Sequence, residues 1–381
     1  MEALTGVRYI AAALVVLHHF VPVSEATDPI VRNFLKVVGD GSVSVFFVLS
    51  GIVLFHSNVT LQGRLKKTKR HFWIARFARI YPVYALGILL IAPLSVHQIL
   101  SSHPNATNYL PRLIVYPLSA ISLLQSWTPW TAVAWNGPAW SLSVEAFFYA
   151  LFPLLIGIAS LSRRTCLAIA LSSWALASAI GMAPFVLWGD AGSVFGGIFF
   201  QAFPPLRLPE FIVGLILGIL IRDTALPDAA RSALSLVAVA SLTAATLFAP
   251  WWAYRFFSLP CIGLLLFGLT SSGGILTWVL KTRVLVSLGA ASYSLYILHV
   301  PVFGYLGLIQ DSLSFRPLGP VANVFFGLAL LTALSVACHR YLEMPMAGWI
   351  NGRLASRPGQ RRDAPAVDGA TAEASLRARM S

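Results

Sequence analysis

The chain has 381 residues, of which 57% are hydrophobic and only 11% charged, against about 25% charged in soluble domains. With a mean hydropathy of +0.76, this excludes a water-soluble globular class. A formal charge of +13 does not imply nucleic acid, because the basic residues flank apolar runs as the positive-inside bias requires.

Apolar runs of about 20 residues recur from end to end, so the fold class read from the sequence is an all-α, polytopic transmembrane helical bundle and not a barrel of short alternating strands. The first run, near 5–23, lacks a small-residue cleavage site and is read as a retained helix. It carries Arg8 and, eleven residues on, His19. Eleven steps of about 100° come close to three turns, so Arg8 and His19 share a face while His18 points aside. At about 1.5 Å per residue His19 lies roughly 16 Å from Arg8, which is expected to put it half way into a hydrocarbon core of about 30 Å. A ring at that depth is either satisfied by a neighbouring helix or acts as a proton carrier or nucleophile.

Further runs lie near 40–57, 79–97, 112–126, 138–159, 166–187, 205–221, 232–249, 256–272, 284–306 and 319–341. The loop after the second run holds Arg64, Lys66, Lys67, Lys69 and Arg70 and is expected in the cytoplasm together with both termini. If every run spans, Arg163 and Arg164 fall outside against that bias. A re-entrant or interfacial segment at 112–126, with Arg112 and Pro117, restores it. The expectation is therefore ten spans, with eleven as the alternative. Residues 1–350 form the membrane domain, and the polar, Pro- and Ala-rich stretch 351–381 is expected to be a disordered cytoplasmic tail. Cys166, Cys261 and Cys338 show no metal-ligand spacing, so no metal site is expected.

Several polar groups lie inside these runs. In "GDGSVSVFFVLSG", Gly39, Gly41 and Gly51 allow close helix approach and Ser44 and Ser50 add hydroxyls. Arg76 and Arg79, three apart where the third helix enters the membrane, suit a phosphate-bearing ligand or lipid headgroups. In "NGPAWSLSVEAFFY", Glu145 shares a face with Ser141 near Trp140 and Tyr149. An intramembrane carboxylate is costly enough to need a function or a partner. If it reaches His19, the pair could work as a general base. Arg207 and Glu210 read as an i, i+3 salt bridge near the interface, and Ser292, Tyr293, Tyr296, His299, His339, Arg340 and Glu343 complete the polar set.

Taken in order, these motifs resemble the membrane-bound acyltransferase family 3, whose members O-acylate cell-surface glycans and related acceptors. Arg8 and His19 match its Arg and essential His; Arg76 and Arg79 match its Arg-x-x-Arg. Phe46 to Gly51, Trp140 to Glu145, Ser292 to Pro301, and Glu343 with Pro345 match its later motifs. Tyr9 and Ser42 stand where the family usually has Gly. The resemblance implies an integral membrane enzyme of the bacterial inner membrane with no bound cofactor. Acyl-CoA, acetyl-CoA in the simplest case, is its donor, and a glycan or lipid-linked sugar hydroxyl its acceptor. Its partners are then membrane lipid, donor and acceptor, and no nucleic acid. On it, Arg76 and Arg79 hold the CoA phosphates, Arg8 sits on the donor path, and His19 is general base or acyl carrier oriented by Glu145. Ser50, Trp140, Ser141, Tyr293, His299 and Glu343 supply substrate or structural contacts. The alternative from the residues alone is a proton-coupled transporter using the same His and Glu.

Overall fold

The structure, a computed structural model, describes residues 1–21, 28–102, 109–189, 194–313 and 319–355. Its first half contains α1 (Glu2–Phe20), α2 (Pro29–Asn58), α3 (Lys69–Ser102), α4 (Tyr109–Ile121), α5 (Pro129–Ala132), α6 (Trp140–Leu155) and α7 (Arg163–Trp188). There follow α8 (Val194–Ala202), α9 (Pro204–Asp223), α10 (Asp228–Phe248), α11 (Tyr254–Gly268), α12 (Ile275–Leu280) and α13 (Arg283–Ala290). The chain closes with α14 (Ser292–Ser312), α15 (Pro320–Cys338) and α16 (Met344–Ala355). Between the last two lies a π-helical turn, His339–Glu343.

Nine helical segments among the described residues are long and apolar enough to cross a membrane, so this is a multi-pass membrane protein. The tenth apolar helix, α11, has 15 residues and is about 22 Å long, short of a hydrocarbon core of about 30 Å. The doubtful run at 112–126 forms only the 13-residue α4. It lies against α3 through hydrogen bonds from Tyr84 to the Ala120 carbonyl (2.7 Å) and from Tyr81 to that of Ile121 (3.1 Å). The run read at 284–306 is two helices: α13 ends at Ala290, where Gly289 lets the backbone rest on the Thr5 carbonyl of α1, and α14 starts at Ser292. Helix α16 continues to Ala355, past the boundary expected at 351, and the remainder of the expected tail lies outside the described residues.

Helix α1 is shorter than its apolar run. Val21 is extended (φ −73°, ψ 122°), as the residue before Pro22 is biased to be. His19 is therefore the penultimate residue of a 19-residue helix about 28 Å long, at its exposed far end. The helix thus ends one residue after His19, short of the apolar run read to 23. Helix α2 starts on a cap, with Asp28 accepting from the Ile30 and Val31 amides at 2.7 and 3.3 Å and Pro29 in the first turn. Its central partner is α9. Gly214 faces the Val48 carbonyl and Gly51 faces the Phe211 carbonyl so closely that a Cβ on either would collide with backbone.

Prolines inside the helices free backbone carbonyls four residues earlier, and in lipid such groups need another donor. Three are met by side chains of distant helices or loops. The Trp73 indole N–H donates to Tyr149 O, freed by Pro153, and that of Trp174 to Phe256 O, freed by Pro260, both at 3.0 Å. The Asn136 amide donates to Ile297 O, freed by Pro301, at 2.9 Å. These bonds fix helix register as well as satisfying the backbone.

Candidate active site

Where α1, α2, α3, α6 and α14 converge, they enclose a cavity of about 350 Å³. Arg8 enters it from α1, Arg76 and Arg79 from α3, Ser141, Glu145 and Tyr149 from α6, and Ser292, Tyr293 and Tyr296 from α14. Phe46, Phe47 and Ser50 form the α2 wall. Ser57, also on the wall, lies one residue from the end of α2 and so near the basic turn at 59–68.

The cavity is a cation cluster with incomplete compensation. Glu145 Oε1 accepts from the Tyr149 hydroxyl at 2.5 Å and from Ser50 at 3.3 Å. Arg79 lies 3.5 Å from Glu343, whose carboxylate is 1% exposed. Glu343 is also held by donation from Ser294 (3.1 Å) and His339 (3.0 Å). The π-helical turn widens the helix just where His339 and Glu343 must both face α3, a local distortion that recurs at functional sites. Arg76 sits over the Phe72 ring at 5.8 Å, and its buried Nε has no hydrogen-bond partner. Arg8 makes no hydrogen bond or ion pair to any described residue. Three guanidinium groups thus face two carboxylates, an arrangement able to hold a polyanion through planar, bidentate contacts.

The structure separates His19 from Glu145. His19 does not line the cavity, and Glu145 takes Tyr149 and Ser50 as partners, so the expected carboxylate and imidazole couple is not formed. The reason is depth: Arg8 lies seven residues into α1 and His19 at its other end. His19 instead stands 5.2 Å, centroid to centroid, from His299 and 4.9 Å from His18. Tyr296 bridges the two regions. Its ring lines the cavity and lies 5.7 Å from that of His299. Its hydroxyl accepts from Ser141 (2.8 Å) and donates to Pro138 O (3.0 Å). Tyr293 donates to the Ile80 carbonyl at 2.5 Å, tying α14 to α3. Trp140 is buried beside the cavity, under Arg207 at 5.2 Å.

His18 has a packing role. Its ring lies on Gly39, where a Cβ would collide with it, and Nδ1 donates to the Leu35 carbonyl at 2.5 Å. His18→Ala is expected to lower stability by about 0.5–1.5 kcal/mol, the net worth of one hydrogen bond to a carbonyl that keeps its helical donor, while keeping most of the activity. Thermal unfolding in detergent alongside an activity assay checks this; a stable but inactive variant contradicts it.

Two residues that the sequence reading passed over complete a buried ionic network. Arg207, fully buried, donates to Asp40 at 2.6 Å and to Glu210 at 2.9 Å, and Arg255 donates twice to Asp40 at 2.9 Å. Glu210 also accepts from Ser44 at 3.0 Å. The expected interfacial pair Arg207 and Glu210 is thus a buried one. The available signal was an acid, Asp40, inside an apolar run.

Residues 1–340 match the family described as "Acyltransferase domain". The chain belongs to the acyltransferase family 3. Every cavity residue falls inside the matched span, and Glu343 lies just past it. The acyltransferase is 29% identical over 328 residues to "Acyltransferase MdmB" of Streptomyces mycarofaciens, covering 80% of this chain and 79% of the relative. It is also 31% identical over 182 residues to "Protein 2 in picA locus" of Rhizobium radiobacter, covering 45% of this chain and 89% of that protein. No solved structure matches it. The protein is therefore a membrane acyltransferase that transfers groups other than aminoacyl groups to an acceptor substrate.

Proposed function

We propose that this acyltransferase moves an acyl group, acetyl in the simplest case, from acyl-CoA to a hydroxyl of a glycan or lipid-linked sugar. The observation that carries the donor is the cavity with Arg8, Arg76 and Arg79 and an excess of one cation over carboxylates. CoA phosphates supply the negative charge that this excess lacks, while the neutral pantetheine arm suits the part of the cavity lined by Phe46, Phe47 and Tyr296. The roughly 16 Å between Arg8 and His19 along α1 is the kind of reach that an extended arm has.

In the reaction, His19 takes the proton of the acceptor hydroxyl as its oxygen attacks the thioester carbonyl. The C–S bond breaks, the thiolate leaves and is reprotonated, and the ester remains on the acceptor. Glu145 acts on the donor side, fixing Tyr149 and Ser50 and balancing the arginines. The orientation is inferred from the basic turn at 59–68 together with Arg222, Lys281 and Arg283. It puts both termini and the donor side in the cytoplasm of a bacterial cell, and the His19 end outside the inner membrane.

Replacing Arg76 and Arg79 together by Lys keeps the charge and removes the planar fork. Donor affinity is expected to fall by at least about tenfold, or about 1.4 kcal/mol, with insertion unchanged, as measured by binding of CoA to purified protein. Unchanged affinity assigns these arginines to lipid headgroups instead.

A further inference from the structure

His299 is fully buried, and its two nitrogens have opposite fates. Nδ1 lies 2.5 Å from the Tyr296 carbonyl, which can only accept, so Nδ1 carries the proton. No carboxylate among the described residues makes a hydrogen bond or ion pair with the ring, so Nε2 presents a bare lone pair. That atom is buried without a hydrogen-bond partner, an arrangement that costs about 1–3 kcal/mol if left unmet.

Three rings surround it. Phe20, edge-on at 6.0 Å, has no polar donor. Tyr296 has already given its proton to Pro138 O. His19, at 5.2 Å and tilted by 47°, makes no hydrogen bond to any described residue. An imidazole nitrogen stands about 1.1 Å from its ring centre. The two rings are not bonded in the structure; a turn of the His19 ring that brings one nitrogen of each ring onto the line of centres leaves about 3 Å between them, a hydrogen-bond distance.

We propose that His299 is a positioning residue for His19, accepting a ring N–H of His19 on Nε2 so that the other His19 nitrogen turns its lone pair toward the acceptor hydroxyl. A neutral imidazole has one N–H and one lone pair, so the partner that takes the N–H selects the tautomer and the aim of the base. His19 is exposed at a helix end and makes no hydrogen bond or ion pair with a carboxylate of the described residues, so His299 does for it what an acid does in other histidine bases. The chain makes this acceptor rigid. Pro301 frees the Ile297 carbonyl, Asn136 ties that carbonyl to the loop before α6, and His299 lies one half-turn further along α14. The proposal rests on the reading of His19 as the base.

The test uses variants that separate the two nitrogens. In His299→Gln the amide oxygen falls near the place of Nε2 and keeps an acceptor for His19. In His299→Asn the amide nitrogen falls near Nδ1 and keeps the bond to Tyr296 O, with nothing at the far position. Purified, monodisperse variants are assayed for kcat and for KM toward acyl-CoA and acceptor, with thermal stability measured on each. Gln is expected to retain kcat within about tenfold. Asn and Phe are expected to lose about 10- to 100-fold in kcat with KM unchanged, the scale of loss when a metal-bound histidine loses the group that orients it. In a His19→Ala background, Asn should cost nothing further. An Asn variant as active as wild type, or a Gln variant no better than Phe, overturns the positioning role. Full activity in His19→Ala overturns the underlying reading instead, so the two failures are distinguishable.

Discussion

His19→Ala is expected to reduce acyl transfer by about 10²- to 10⁴-fold, the usual contribution of a general base, while the protein inserts, purifies and binds its donor as before. The expectation of intact folding follows from the site. The His19 ring is exposed, makes no hydrogen bond to a described residue, and touches its neighbours through ring edges and not as part of a packed core. The expectation of intact donor binding follows from the cavity, which His19 does not line. The assay is acylation of an acceptor by purified variants given acyl-CoA, with CoA binding measured in parallel. Full activity removes His19 from the chemistry. Loss of donor binding means that the cavity and the imidazole cluster are more tightly joined than their separation implies.

Asp40→Ala is expected to produce the largest loss of stability of any single substitution considered. Its carboxylate receives hydrogen bonds from Arg207, which is fully buried, and from Arg255, which is 11% exposed. Removing one partner of a buried ion pair costs about 3–5 kcal/mol, because the remaining charge has no water to return to. The fall in unfolding temperature should be on the order of 10 °C. Arg255→Met in the same chain should recover part of the loss by removing one of the stranded cations, leaving Arg207 with Glu210. Thermal unfolding of the wild type and the two variants in one detergent decides this. An unchanged midpoint in Asp40→Ala shows that water or lipid headgroups reach the network. Activity should suffer too, since the Arg207 guanidinium lies over Phe47, a cavity wall, at 5.5 Å.

Nine of the ten expected spans were legible in the sequence, because lipid solvation depends on composition over about 20 residues and little else, whereas the run at 256–272 gives only the 15-residue α11. The short run at 112–126 was also legible, through Arg112, Pro117 and the charge bias. The convergence of Arg8, Arg76, Arg79, Glu145 and Tyr293 came from the motifs the family resemblance supplied, and the cavity unites them. What escaped depends on depth and rotation, which packing sets. Hydropathy carried the first run past Val21, and His19 was paired with Glu145. The break at Ala291 was invisible because both sides of it are apolar. Asp40 hid between two glycines in a stretch read as small-residue packing, and Arg255 lies in an aromatic stretch with no partner nearby in sequence. Long-range pairs of that kind leave no local period.

A helix that enters hydrocarbon with a proline in its middle brings an unmet carbonyl with it, at several kcal/mol. In each of the three bonds that answer this need, the donor is made before the acceptor: Trp73 before Tyr149, Trp174 before Phe256, Asn136 before Ile297. As the ribosome delivers the chain from its N-terminus, every such helix therefore emerges to find its donor already in the bilayer. For these three helices the order of synthesis and the order of docking coincide, and none of them has to wait in lipid for a segment not yet translated.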